Sequence, residues 1–293
     1  MPDSPSQFEI SVVISTYNNP QSLRKVLWGY QAQRFRNFEI IVADDGSTQE
    51  TAAMLAEFES TGLDITHLWQ ADKGFRKNRI LNKSILAARS PYCIFTDGDC
   101  VPRADFVEAH VRFRRPGSFL VAGSHVDLPM PFHSQVNRES ILSGQAFSSD
   151  WLKSRGHVCR KNLFRLAAPR WLCPVLNLAT QRPGVFTGNG SSAWRADALA
   201  VNGFDETVGY GGSDKDFGFR LTNLGIRSRM LKFSLINLHL DHDRPWVDER
   251  VIAANKQHLK KLRKSGIYWT DHGVDLLPES SQSPAASLAS SAA

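Results

Sequence analysis

What most constrains this chain is the alternation of short apolar runs with helical patterns over roughly its first 125 residues. Five runs, EISVVIST, FEIIVAD, DITHLWQ, PYCIFTD and SFLVAGS, have the length of strands. Between the first two, QSLRKVLWGYQAQ places Leu23, Val26, Leu27 and Tyr30 on one helical face. A second helix is expected to begin at Ser47, where Glu50 three residues on completes a capping box before Met54, Leu55 and Phe58. Residues 77–89 and 105–114 read as two more helices. Strands separated by helices are βαβ units, so the expected fold class is α/β, with a mainly parallel sheet flanked by helices.

In open sheets of this kind ligands collect beyond the carboxyl ends of the strands. The polar clusters fall there: Ser15-Thr16-Tyr17-Asn18-Asn19 after the first strand, Asp44-Asp45-Gly46-Ser47 after the second, Asp97-Gly98-Asp99 after the fourth. Asp-Gly is also ordinary turn chemistry. Two carboxylates bracketing one glycine can instead hold a hard divalent cation, Mg²⁺ or Mn²⁺, against a substrate diphosphate and neutralise charge that grows on a departing phosphate. A histidine ligand would tilt the choice toward manganese. His239 and His242, in NLHLDHD at the end of an apolar strand, are the candidates, although a lone histidine is more often structural.

From Met130 to about Pro183 the pattern loosens, with Pro129, Pro131, Pro169, Pro174 and Pro183, and reads as a helical insertion against the sheet. Between Trp151 and Ala196 there is no Asp or Glu, while Lys153, Arg155, Arg160, Lys161, Arg165, Arg170, Arg182 and Arg195 are all basic; these eight exceed the whole net charge of +6. With Trp151, Phe164 and Trp171 among them, they form either a solvated face or a surface for phosphate-bearing partners, such as an anionic membrane or an acidic acceptor. They fit no helix-turn-helix or zinc-finger pattern, so no nucleic acid is expected. Regular structure resumes at GVFTGNGSSAWRADAL, followed by a helix over 214–223, the strands IRSRMLK and LINLHL, and a basic helix over 246–263. After Leu277 the run PESSQSPAASLASSAA is too poor in apolar residues to fold.

No apolar run approaches the ~20 residues of a spanning helix, and MPDSPSQFEI lacks a basic start followed by a hydrophobic stretch. The expected place is cytoplasmic, peripheral on the inner face of the cytoplasmic membrane. Cysteines 93, 100, 159 and 173 form no CxxC pair, which speaks for reduced thiols and against structural zinc.

Six blocks stand in an order that resembles glycosyltransferase family 2 with the GT-A fold: SVVISTYNN, VADDGST, DKGFRKNRILNKSI, YCIFTDGDCVPRADF, GNGSSAWRADALAVNGFDE and GYGGSDKDFGFRL, spread over residues 11–221. The later blocks look like the carboxy-terminal half of bacterial galactosyltransferase-like and chondroitin-polymerase-like members. The resemblance implies a Rossmann-like nucleotide-diphospho-sugar transferase domain over 1–276. Its parts would be a nucleotide-sugar half (8–126), the basic helical insertion (127–183) and an acceptor half (184–276), with 277–293 as a tail. It implies that Thr16, Tyr17, Asp45, Arg76, Asp97 and Gly98 hold the nucleotide-sugar donor, a UDP-sugar by family weighting. Asp97 and Asp99 would be the DxD metal pair, His242 or His239 a third ligand, and Asp214 the general base. Asn189, Trp194, Tyr210, Gly211 and Gly212 would shape the acceptor pocket, with a plain core role equally open for Trp194 and Tyr210. Two positions depart from the family: Ser213 replaces the usual Glu, and Leu81-Asn82 replaces the usual Arg-Asn, so a phosphate contact there falls to Arg76, Lys77 or Arg79.

The implied reaction is single displacement with inversion, transferring a sugar to a hydroxyl of a bacterial surface glycan or a lipid-linked precursor. A catalytically inactive nucleotide-sugar or carbohydrate binding protein of the same fold would not need Asp214. A nucleotidyltransferase would not need the Gly-Gly-x-Asp helix start.

Overall fold

The structure, a computed structural model, describes residues 7–123, 125–157, 163–243 and 247–277. Ten strands are present among them: β1 (Ile10–Thr16), β2 (Phe38–Asp44), β3 (Ile65–Trp69), β4 (Tyr92–Asp97), β5 (Cys100–Pro102), β6 (Ser118–Val121), β7 (Val126–Leu128), β8 (Ser191–Trp194), β9 (Arg227–Met230) and β10 (Asn237–Leu240). The α-helices are α1 (Pro20–Gln31), α2 (Gln49–Ala56), α3 (Lys77–Ala87), α4 (Phe106–Phe113), α5 (Arg138–Leu142), α6 (Ser149–Ser154), α7 (Leu163–Ala167), α8 (Cys173–Ala179), α9 (Arg195–Ala200), α10 (Ser213–Asn223) and α11 (Glu249–Ser265).

Seven strands form the main sheet in the order β3-β2-β1-β4-β8-β6-β9, and three form a small sheet in the order β5-β10-β7. In the main sheet β1 pairs in parallel with both β2 and β4, and β8 runs antiparallel between β4 and β6. This is the mainly parallel α/β sheet expected from the apolar runs.

Every residue of β1 and β2 is buried, because helices cover both faces of the sheet. Successive side chains point to opposite faces. Val12 and Ile14 therefore pack with Leu23, Val26 and Leu27 of α1, whereas Val13 packs with Ile80 and Ile85 of α3 on the other side. On that second face Phe95 of β4 meets Phe186, Phe204 and Phe217 at ring-centroid distances of 5.8, 5.5 and 6.1 Å. Each such buried ring contributes roughly 1.5–3 kcal/mol, and together they join α10 and the residues before β8 to the sheet. Asn19 starts α1 by accepting a hydrogen bond from the Ser22 backbone N–H at 3.2 Å, with Pro20 in the first turn.

Three expectations need correction. Ser47 does not cap α2: its Oγ accepts from the Asn18 backbone N–H at 2.8 Å, so the helix begins at Gln49 after Thr48, without a side-chain cap. The basic helix begins at Glu249, not near residue 246, because the Asp248 carboxylate accepts the Arg250 N–H and supplies the cap. The basic segment is also less uniform than its sequence, since Arg195 donates to the carbonyls of Ile85 and Leu86 and Arg170 pairs with Asp105 at 3.3 Å. Arg160, Lys161, Cys159, Trp246 and the tail from 278 onward lie outside the described residues. Cys93, Cys100 and Cys173 are free and buried.

Candidate active site

Parallel pairing of β1 with its two neighbours sets Thr16 beside Asp44 and Ser15 beside Asp97, so the polar strand ends meet on one rim. Ser15 Oγ donates to Asp97 Oδ1 at 2.8 Å. Asp45 accepts from Gln70 Nε2 at 2.7 Å and from the Arg76 backbone N–H at 2.8 Å. Burial pushes its carboxyl up, and the Gln70 bond works against that rise. Tyr17 Oη donates to Asp72 Oδ2 at 2.9 Å, and Thr16 Oγ1 is a buried polar atom without a protein partner. Gly98 folds back on β1: a Cβ there would lie 3.1 Å from the Ser15 carbonyl and 3.2 Å from Thr16 Oγ1.

The small sheet then carries two imidazoles to Asp99. Antiparallel pairing of β10 with β5 aligns His239 with Cys100, and the Leu240 N–H donates to the Asp99 carbonyl at 2.9 Å. His242 Nε2 lies 3.0 Å from Asp99 Oδ2, and His239 Nε2 lies 3.8 Å from the same oxygen. Their other nitrogens are engaged as well, His242 Nδ1 with the Asp243 carbonyl at 2.8 Å and His239 Nδ1 with Asp127 Oδ1 at 2.9 Å. Parallel pairing of β7 with β10 brings Asp127 there, along with His125, whose Nε2 is 2.9 Å from Asp127 Oδ1. Asp99, His239 and His242 form one group able to hold a metal ion, Asp97, Asp99 and Cys100 a second, and His125, Asp127 and His239 a third. The donor chemistry fits a divalent cation. His242 Nδ1 faces a carbonyl and its Nε2 faces the Asp99 carboxylate, an arrangement met by an imidazolium donating from both nitrogens or by a cation held between Nε2 and the carboxylate. Burial alone would raise Asp99, but the His242 hydrogen bond and the nearby His239 hold it below the usual carboxylate range.

Asp214 enters from the other side, in the first turn of α10. The Gly188 backbone N–H donates to its Oδ2 at 2.8 Å. A Cβ on Gly188 would lie 3.0 and 3.2 Å from the two Asp214 oxygens and 3.3 Å from Asp97 Oδ1. The Asp214 and Asp97 carboxylates therefore flank one glycine. Lys77, at the start of α3, places Nζ 2.6 Å from Asp97 Oδ1. Burial would lower its ammonium, yet Asp97 and then Asp214 outweigh burial and hold it above its ordinary value. Burial pushes the Asp214 carboxyl up, and Lys77 opposes that rise.

The structure separates the remaining sequence candidates. Asn189 follows Gly188; its carbonyl accepts from Asn237 and its amide contacts His125 Nδ1. Tyr210 meets Phe75 edge-on at 6.1 Å, Gly211 takes a left-handed φ of 83°, and Gly212 packs against Asn255. Trp194 does not belong with them, because β8 runs antiparallel to β4 and pairs Trp194 with Tyr92 at the far end of the strand. Its ring packs on Tyr92 at 5.0 Å and its Nε1 donates to the Arg115 carbonyl at 3.0 Å. Arg76 turns its guanidinium to the Ala71 carbonyl and Arg79 pairs with Glu206 at 3.0 Å, so of the three basic candidates Lys77 reaches the carboxylates. Ser213 is buried and hydrogen-bonded to Asn78 Oδ1, facing α3.

Gly188, His125 and Asp127 escape a sequence reading, since a glycine beside Asn-Gly reads as a turn and His-Val-Asp as a strand alternation. A cleft of about 410 Å³ opens beside His242, lined by Pro129, Met130, Pro131, Asp241 and Asp243.

The sequence profile of glycosyl transferase family 2 matches residues 11–149, the span that holds the rim, Lys77 and the Asp97–Asp99 pair. Over that span this chain is similar to glycosyl transferase family 2. It is 25% identical to a chondroitin synthase of Escherichia coli over 237 residues, which are 76% of this chain and 33% of that protein. The fold is also similar to that of a mannosyltransferase of Pyrobaculum calidifontis solved with GDP-Man and Mn²⁺, with a TM-score of 0.56 and 18% identity over 89% of this chain and 65% of that one. TarS of S. aureus, solved with UDP-GlcNAc, gives a TM-score of 0.57 and 13% identity over 87% of this chain and 70% of that one. At these identities the structural likeness carries the fold, GT-A, and this chain spans a third of the length of the synthase.

Proposed function

We propose that the chain is a metal-dependent inverting glycosyltransferase. It moves a sugar from a nucleotide diphosphate, a UDP-sugar in this reading, to a hydroxyl of a glycan or lipid-linked precursor. The observation that carries the reading is the placing of Asp214 and Asp97 on two sides of Gly188, which sets a base beside a candidate cation site. In this reading residues 8–126 hold the donor and 184–276 the acceptor. Thr16, Tyr17 and Asp45 face the nucleoside, with the unpartnered Thr16 Oγ1 available to it. Asp97, Asp99 and His242 hold Mn²⁺ or Mg²⁺, with His239 oriented by Asp127 beside them.

A cation held there supplies positive charge against the leaving diphosphate. The chain's own groups do the rest. Gly188 N–H occupies Asp214 Oδ2, which leaves Oδ1 to take the proton of the acceptor hydroxyl. A carboxyl raised by burial holds that proton better than an ordinary Asp, and the nearby Lys77 ammonium opposes that rise. The hydroxyl oxygen then displaces the nucleoside diphosphate from the opposite side of the anomeric carbon, inverting it without a covalent intermediate. Asn189, Tyr210, Gly211 and Gly212 border the acceptor.

The test incubates the purified chain and Mn²⁺ with UDP-, GDP- and dTDP-sugars and measures released diphosphate, then repeats the measurement with Asp214→Asn. The variant should bind UDP and Mn²⁺ as before and lose turnover; normal turnover sinks the base. Binding by the wild type without turnover on any donor would favour an inactive sugar-nucleotide binding protein.

A further inference from the structure

A different face of the molecule carries the most exposed large apolar side chains among the described residues. Trp171, Val175 and Leu178 are 77, 59 and 78% exposed. Their i, i+4, i+7 spacing aligns them along α8 and the turn before it, while Cys173 and Asn177 face inward. Asn177 fixes the helix to the chain before β10: its Oδ1 accepts the Phe233 N–H at 3.0 Å and its Nδ2 donates to Ser234 Oγ at 2.7 Å. Phe164 of α7, also exposed, sets its ring edge on Phe233 at 5.8 Å, and Lys232 Nζ lies 5.5 Å from the same ring. The apolar stripe and Lys232 thus belong to one continuous surface.

Beside the stripe itself the charge is basic. Arg182, exposed, follows α8. Burial, then Arg165 and Arg182, lowers the Lys232 ammonium, and no carboxylate is among the groups that perturb it. No Asp or Glu occurs from 151 to 196. On the other flank of α8, in a cleft of about 140 Å³, Arg103 and Arg170 pair with Asp105.

We propose that this face docks on an anionic lipid bilayer, with Trp171, Val175, Leu178 and Phe164 in the boundary between headgroups and acyl chains and Arg182 and Lys232 against lipid phosphates. An apolar patch of this kind on a soluble surface marks an interaction site. A surface of uniform negative charge over hydrocarbon matches large apolar side chains flanked by the cations Arg182 and Lys232. No helix among the described residues is long and apolar enough to cross a membrane, so attachment at the surface is the mode this face provides. The inference stands apart from the transfer chemistry, because vesicle binding is measured without turnover.

The whole chain is sedimented with vesicles of phosphatidylglycerol and phosphatidylcholine in equal parts, and with pure phosphatidylcholine. Binding to the anionic vesicles alone is expected. It should weaken at least tenfold when salt rises from about 0.1 M to about 1 M, which shortens the screening length from ~10 to ~3 Å. Trp171→Ser with Leu178→Ser should reduce binding about tenfold or more while leaving the urea midpoint unchanged, since both side chains are exposed. Arg182→Gln with Lys232→Gln should weaken binding and flatten its salt dependence. Wild-type chain left in the supernatant, equal binding to neutral vesicles, or a dimer that Leu178→Ser dissociates would each overturn the proposal, the last by assigning the stripe to a second copy.

Discussion

Gly188→Ala adds one methyl group at the point where the proposed base and the proposed cation site come together. The backbone permits the change, because Gly188 is not among the glycines with a left-handed φ. The space does not permit it. The new Cβ would stand 3.0 and 3.2 Å from the Asp214 oxygens and 3.3 Å from Asp97 Oδ1. Against an optimum near 3.5 Å, the closest contact is short by about half an ångström. Asp214 is the group that yields, since its Oδ2 is tied to the same residue's N–H and must move with it. Misplacing a reacting group by ~1 Å costs about 10²-fold, so about half that displacement predicts a fall in kcat of roughly tenfold. Donor binding should stay within about twofold, because the rim residues Thr16 and Asp45 do not touch the new methyl group. Global stability should change by no more than about 1 kcal/mol, the lost space being offset in part by the lower freedom of alanine in the unfolded chain. The assay is kcat from diphosphate release, with the donor Kd from calorimetry and a urea melt on the same sample. A kcat within twofold of wild type, with donor binding and stability unchanged, would refute the reasoning, because Asp214 would then tolerate displacement and could not be the base.

Two further perturbations test the site and the core. Asp99→Ala should weaken Mn²⁺ binding, read by electron paramagnetic resonance, by about tenfold or more, and His242→Gln should weaken it more than His239→Gln, following the 3.0 and 3.8 Å separations. The reverse order would exchange the two histidines. His110 is fully buried, with Nδ1 2.7 Å from Ser192 Oγ, and burial pushes its pKa down from 6.5 to about 3. Its neutral form is therefore favoured by folding: stability is complete above 6.5 and is lost as pH falls, because the unfolded chain takes up a proton that the folded one refuses. Between pH 7.5 and 5 this costs about 2 kcal/mol, so His110→Gln should show a smaller acid loss by that amount in urea melts. An unchanged slope would remove His110 from the account.

Much of the sheet was legible because its signal is local. Buried strands must be apolar and their helices must show one apolar face, so EISVVIST and QSLRKVLWGYQAQ declare themselves without a partner. The rim was legible for the same reason: polar residues that end apolar runs in a parallel sheet all emerge at one edge. Errors arose where a residue's partner is remote. Ser47 looked like a helix cap, but its hydroxyl is taken by Asn18, 29 positions earlier. Trp194 sits in a motif that reads as pocket-forming, yet antiparallel pairing turns it to the far end of β4.

By itself, then, the sequence determined the fold class, the strand ends that carry carboxylates and the segment without acidic residues, all consequences of composition within a window of ten to fifty positions. The tertiary structure decided which of those groups face one another. Lys77 reaches Asp97 across 20 positions, Gly188 holds Asp214 across 26, and His242 meets Asp99 across 143. Such pairs are fixed by strand order and crossover geometry, which no local periodicity encodes, and burial around them, not residue type, sets how each carboxylate holds its proton.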